Sequence, residues 1–365
     1  MLDLLPAGEC AYDMVALGEV MLRLDPGERR IRNTRQFSVW DSGAEYNVAR
    51  AFRRAFGLRG ALVSAFAANE VGRLAEDILL GSGLDLSFVH WAPFDGVGRT
   101  VRNGLNFSER GFGVRGALGC VDRGNTAISQ LRPEDVDWDE LFDVRRTRWF
   151  HSGGIMAGLS DQAAATAGVA MERATAAGTI VSYDLNYRPS LWAAGGGKAQ
   201  AREVNRRLVT QADVLVGNEE DFEACLGITN PRIDASLSDL DPAAYRELVL
   251  QVAEEFPRLS VIGVTLRSVR SATSNDWGAM VWHRERGFAD ATLRPGLEIF
   301  DRLGGGDSFA SGLFYGLMAL DDLQQAVELG AANGALAMTT PGDVTTATLA
   351  EIQALAGGAN ARVQR

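Results

Sequence analysis

Three cysteines and three histidines are few for 365 residues. Cys10, Cys120 and Cys225 are scattered and odd in number, which fits neither a disulfide framework nor a zinc knuckle. No apolar run reaches the length of a membrane span. The opening residues MLDLLPAGECAYD lack the basic start and apolar block of a signal peptide. Positive charge is in deficit: Lys+Arg number 36 against 47 for Asp+Glu, giving a net charge of -11 and a pI near 4.9. That balance argues against a nucleic acid or an anionic membrane as partner. It leaves a phosphorylated small molecule open, because such a ligand needs only a local positive site. A reduced, soluble, cytoplasmic protein is the expectation.

What the chain does have is a glycine-rich turn, Asp301-Arg302-Leu303-Gly304-Gly305-Gly306-Asp307, followed by the apolar run SFASGLFYGLMAL. Phe309, Leu313, Leu317 and Leu320 recur at helical spacing, so the run reads as a buried helix with the glycines at its start. Three glycines are entropically costly to order, which suggests a use for their bare backbone. Free amides at the positive end of a helix form a site for an anion such as phosphate. Taken alone, the turn reads more simply as a helix start with Asp307 as its cap or first-turn acid.

Elsewhere the rhythm is strand and helix. Met14–Leu17 and Val20–Leu24 read as an opening strand pair, and NVARAFRRAF as a helix. Strands follow over 61–67, 148–151, 179–185, 214–217 and 259–266, with helical stretches between them. Residues 98–119 break the pattern: glycine, arginine and alternating apolar residues suggest hairpins. A polar connector spans 231–242. Alternation of this kind implies one α/β domain, doubly wound, with a mainly parallel sheet and helices on both faces. In such sheets ligands bind beyond the carboxyl ends of the strands. Asp184, Asn186 and Arg188 follow one strand, and Asn218-Glu219-Glu220-Asp221 follow another.

Together these segments resemble the ribokinase-like (PfkB) family of carbohydrate kinases, and most nearly its 2-keto-3-deoxygluconate kinases. The shared elements are GEVMLRL (18–24), GAEYNVA (43–49), HSGGI (151–155), DLNYRPSLW (184–192), DRLGGGDSF (301–309) and TTPGD (339–343). The resemblance implies a single ribokinase-like domain over 1–365, with a small β-sheet lid from about 22–40 and 99–125 and a homodimer formed through that lid. It implies ATP and Mg²⁺, a sugar-acid substrate, Asp307 as catalytic base, and amides of Gly304, Gly305 and Gly306 as an anion hole. Gly43, Asn47, Arg123, Arg188 and Asp343 would bind the sugar acid. Asn218 and Asn333 would lie near the nucleotide, and Asp221 would meet the metal through water.

The sequence also departs from that family. Gly305 replaces an alanine, Asp221 replaces a glutamate one methylene longer, and Thr100 and Val121 stand where some relatives carry tyrosines. The nucleotide loop, TLRSVRSATSNDWGA (265–279), lacks its first glycine and carries an insertion, so no binding residue is placed there. Rival readings are a neutral-sugar kinase, a non-catalytic sugar-acid sensor, a dehydrogenase and a serine hydrolase. The dehydrogenase lacks G-x-G-x-x-G after its first strand. The hydrolase lacks a histidine downstream of Ser308, since the three are His90, His151 and His283.

Overall fold

The computed structural model describes residues 2–233 and 241–358; of the expected polar connector, residues 234–240 lie outside them. Fourteen strands are found there: β1 Met14–Leu17, β2 Met21–Asp25, β3 Ser38–Ser42, β4 Gly60–Ala67, β5 Val89–Ala92, β6 Gly104–Glu109, β7 Leu118–Asp122, β8 Trp149–Gly153, β9 Ile180–Asp184, β10 Val214–Gly217, β11 Val261–Ser271, β12 Ser274–His283, β13 Gly287–Asp290 and β14 Arg294–Glu298. Ten form a central sheet in the order β13-β12-β11-β10-β9-β8-β1-β4-β5, with β14 paired to β12. From β11 to β5 every pairing is parallel. The other four strands form a separate sheet, β3-β2-β6-β7.

The central strands are mainly apolar because both of their faces are covered. Alternation along β1 shows how: Val15 and Leu17 enter one core, Met14 and Ala16 the other. The first core is closed by the helices Asp161–Ala176, Gly197–Val209 and Pro242–Glu255. The second is closed by Ala44–Arg54, Gly305–Ala319 and Leu323–Ala337. The doubly wound α/β expectation holds.

Two local expectations do not. β1 and β2 are not partners: the chain crosses at Gly18-Glu19-Val20 from the central sheet into the small one, and β2 pairs with β3 and β6. The supposed nucleotide loop is a long hairpin, with Thr265 opposite Ala279 and Arg267 opposite Trp277. Its β-branched and aromatic residues favour a paired ladder over a flexible loop. Residues 104–122 do form a hairpin, β6 with β7. No helix among the described residues is long and apolar enough to cross a membrane.

Candidate active site

Strand order reverses between β8 and β1, and the carboxyl ends of β1, β8, β9, β10 and β11 all face one cavity of about 840 Å³. Such a reversal opens a crevice, since the chains leaving neighbouring strands turn to opposite faces. Glu19, Ile155, Asp184, Asn218 and Thr265 line it from those strand ends. The small sheet covers it with Asn106, Val121 and Arg123, and the glycine turn closes its inner wall.

The helix Gly305–Ala319 begins at Gly304 with no side-chain cap, leaving the amides of its first turn free to meet a ligand. Gly304 has φ +74°, and a β-carbon there would lie 1.6 Å from the carbonyl oxygen of Asp343. Only glycine fits that position. Gly43 is crowded in another way: its backbone is extended, but a β-carbon would stand 2.1 Å from the Glu19 carbonyl oxygen.

Asp307 faces the cavity from the first turn of this helix. Asn47 Nδ2 donates to its Oδ2 at 2.6 Å. Burial pushes the Asp307 carboxyl up to about 6; the Asn47 amide and the Arg188 charge oppose that rise, and the Asp343 charge adds to it. Beside it, Asp184 is held well above the usual carboxylate range by burial and by the charges of Asp221 and Asp307. Proton affinity near neutrality on a cavity carboxylate suits an acid or base that works there.

Arg188 and Arg123 both line the cavity. Arg188 Nη1 donates to the Tyr187 carbonyl at 2.9 Å, and among the described residues the rest of its fork has no hydrogen-bond partner. Arg123 sits 3.4 Å from Glu19, whose carboxylate oxygens are buried without a hydrogen-bond partner. Burial pushes Glu19 up to about 7, against the pull of Arg123. Below it Glu45, on the same helix as Asn47, is pushed up to about 8 by burial.

Of the residues expected from the sequence, Gly43, Asn47, Arg123, Arg188, Asn218, Asp221, Gly304, Gly305, Gly306, Asp307 and Asp343 all line the cavity. Several are committed elsewhere as well. Asn218 caps a short helix, its Oδ1 accepting from the Asp221 amide at 3.0 Å. Asp221 accepts from the Asn218 amide at 3.0 Å and the Tyr187 amide at 2.8 Å. Asp343 accepts from Arg23 and from the Ser42 hydroxyl. Asn186 reaches the wall through a left-handed backbone (φ 32°).

Asn333 is not brought to the cavity wall. It is fully buried between two helices, donating to the Ser308 carbonyl at 2.8 Å and Ser311 Oγ at 3.0 Å while accepting from Thr345 at 2.8 Å. Its polar atoms tie those segments together. His151 is also structural: it is buried in β8 with Nδ1 2.8 Å from Ser182 Oγ, and burial pushes it down to about 3.

Sequence reasoning missed Arg23, Glu19, Arg267 and Arg302. Arg23 is wholly buried, donating to Asp343 and Asp301 and lying 3.3 Å from Asp25. An arginine inside an apolar strand was the available signal, since such a charge is buried only when paired. Among the described residues no group of three or more His, Cys, Asp or Glu is arranged to hold a metal ion.

The pfkB family of carbohydrate kinases matches residues 116–349. The chain is 30% identical to the 2-dehydro-3-deoxygluconokinase of Thermoproteus tenax, covering 92% of this chain and 91% of that protein. It is 29% identical to the 2-dehydro-3-deoxygalactonokinase of Haloferax volcanii, covering 97% and 99%. The crystal structure of 2-dehydro-3-deoxygluconokinase from Thermotoga maritima superposes with a TM-score of 0.85 at 35% identity, covering 94% of this chain and 99% of that one.

Proposed function

The chain belongs to the pfkB family of carbohydrate kinases, and from that premise we propose that it transfers the γ-phosphoryl group of ATP to a hydroxyl of 2-keto-3-deoxygluconate or a close sugar acid. The observation that carries this is Asp307. Its carboxyl is raised to about 6 at the start of an uncapped glycine helix, facing a cavity that Arg123 and Arg188 also line.

The sugar hydroxyl oxygen forms the new bond to γ-phosphorus as the bond to the β-phosphate oxygen breaks, and ADP leaves. Asp307 takes the hydroxyl proton. The amides of Gly304, Gly305 and Gly306 hold the phosphoryl oxygens as charge shifts along the reaction axis, a role worth several kcal/mol in comparable sites. Arg188 and Arg123 engage the substrate carboxylate, for which a planar guanidinium fork is suited. Gly43 lets the sugar approach the backbone. The small sheet acts as a lid that excludes water from the transferring group.

The neighbouring carboxylates of Asp184 and Asp221 fit a hydrated Mg²⁺ arriving with the nucleotide, because the charge of Asp221 raises the proton affinity of Asp184 and a cation relieves that repulsion. When bound, the ion neutralises phosphate oxygens. A homodimer through the lid is proposed on the exposed Val39 and Leu118 of the small sheet, and sedimentation at graded concentrations tests it.

A coupled assay of ADP formation across 2-keto-3-deoxygluconate, its galactonate epimer, fructose and ribose tests the main reading. Turnover should depend on the sugar and favour the acids, because buried donors lose heavily when no acceptor meets them. Equal kcat/KM for fructose would remove the carboxylate reading and leave a neutral-sugar kinase. No sugar-dependent turnover would leave a sensor on this fold.

A further inference from the structure

The cavity wall formed by 265–279 has no flexible glycine loop with which to wrap a phosphate chain. Thr265 through Val269 are in continuous register with Ala279 through Asn275. A straight strand presents its amides along one line and cannot curl around a tetrahedral anion. It does present side chains: alternation sends Thr265 and Arg267 to the cavity and Leu266 into the first core.

Arg302 enters the same cavity from the turn ahead of the glycines. Burial, and then the charge of Arg267, hold it below the ordinary arginine range. The two guanidiniums therefore stand close enough to repel. Among the described residues neither is within ion-pair distance of a carboxylate, unlike Arg23, Arg59 and Arg148. Arg267 Nε is buried with no hydrogen-bond partner. Glu219 feels Arg267 but stays outside ion-pair reach and accepts from the Tyr245 hydroxyl at 3.3 Å. Partly buried like charges without partners are unfavourable until an anion completes them.

We propose that Arg267 and Arg302 form a two-sided clamp for the polyphosphate tail of the nucleotide, doing with side chains what a glycine loop would do with amides. The inference rests on the kinase reading above and adds to it the residues that recognise the phosphates. Its position fits, since both arginines line the cavity that the glycine turn and the end of β10 also line.

Calorimetric titration with ADP and with AMP tests the clamp, because the two ligands differ by one phosphate. Arg267→Gln and Arg302→Gln should each weaken ADP binding on the order of ten- to a hundredfold, the value of a charge-assisted hydrogen bond. AMP binding and the KM for the sugar acid should stay within about threefold. Ligand-free variants should melt at or above the wild-type temperature, since a repulsion is removed. The proposal is overturned if ADP and AMP affinities fall together, if the KM for sugar acid rises in place of that for ATP, or if the free variants melt lower. A wild-type protein that turns over sugar with unchanged ADP affinity in both variants defeats the clamp alone. One that binds neither nucleotide defeats the kinase reading with it.

Discussion

Replacing Asn47 by alanine isolates the group that keeps Asp307 usable as a base. The Asp307 carboxyl stands at about 6 against an ordinary 3.8, a difference of roughly 3 kcal/mol in favour of the protonated form. The Asn47 amide, 2.6 Å away, opposes that cost by donating to the charged form. A hydrogen bond to a charged group contributes about 1.5–3 kcal/mol, or about one to two pKa units. Asn47→Ala should therefore carry the carboxyl from near 6 to about 7–8. A base must be ionised to act, so the acid limb of kcat/KM for the sugar acid should move up in pH by the same amount. Near pH 6.5 the variant should lose roughly tenfold, and above about pH 9 it should recover. Steady-state rates at saturating ATP across that range measure it, with Asp307→Asn as the reference, expected to lose on the order of 10² to 10⁴ at every pH. An acid limb that stays where it was, a deficit that persists at high pH, or near-normal turnover by Asp307→Asn would refute the reasoning.

Arg188→Lys keeps the charge but loses the fork, so kcat/KM should fall at least tenfold for the sugar acid and less for fructose; a uniform fall would count against carboxylate recognition. Gly304→Ala meets both a positive φ and the Asp343 carbonyl, and denaturant melts should show a loss above about 2 kcal/mol. Glu45 keeps its proton in the folded state up to about pH 8, whereas the unfolded chain releases it near 4.5. The Glu45 contribution to stability should therefore be full below pH 4.5 and be lost, by a few kcal/mol, as pH rises through 8. Glu45→Gln should flatten that slope, and an unchanged slope in melts at pH 5, 7 and 9 would show that Glu45 is not its source. Amide exchange in 104–122 should slow when sugar acid and nucleotide are both bound; exchange that ignores them would argue against a lid.

The parts of this protein that were legible in its sequence are those fixed by local pattern. Val214–Gly217 is a strand because four small apolar residues lie between turn signals, and the helix after the glycines follows from its 3.6-residue period. The turn 304–306 was readable because three bare backbones in succession have few other uses. What was hidden depends on distant partners. Arg23 meets Asp301 and Asp343 across 278 and 320 residues, and nothing beside it in the chain announces them. Glu19 and Glu45 are of a residue type usually found at the surface, yet both are buried. The partners of Asn333 were equally hidden, since Ser308, Ser311 and Thr345 converge on it from distant parts of the chain. The hairpin at 265–279 was obscured because a strand that outruns its parallel neighbour and folds back resembles an insertion in a loop.

Arg23 has a mechanical meaning as well. It belongs to β2 in the small sheet, yet it is bound to Asp301 ahead of the glycine turn and to Asp343, whose carbonyl oxygen packs on Gly304. Pulling a wholly buried guanidinium from its carboxylates costs several kcal/mol, more than a rapid opening motion can spend. The root of the cover is thus riveted to the floor of the cavity, and a swing of the entire small sheet as one plate is not available to it. Movement has to grow with distance from that rivet, outward across β6 to the far edge at β7. Arg123, immediately after β7, rides on the part with the longest lever arm, while Asp307 and the glycines sit beside the fulcrum.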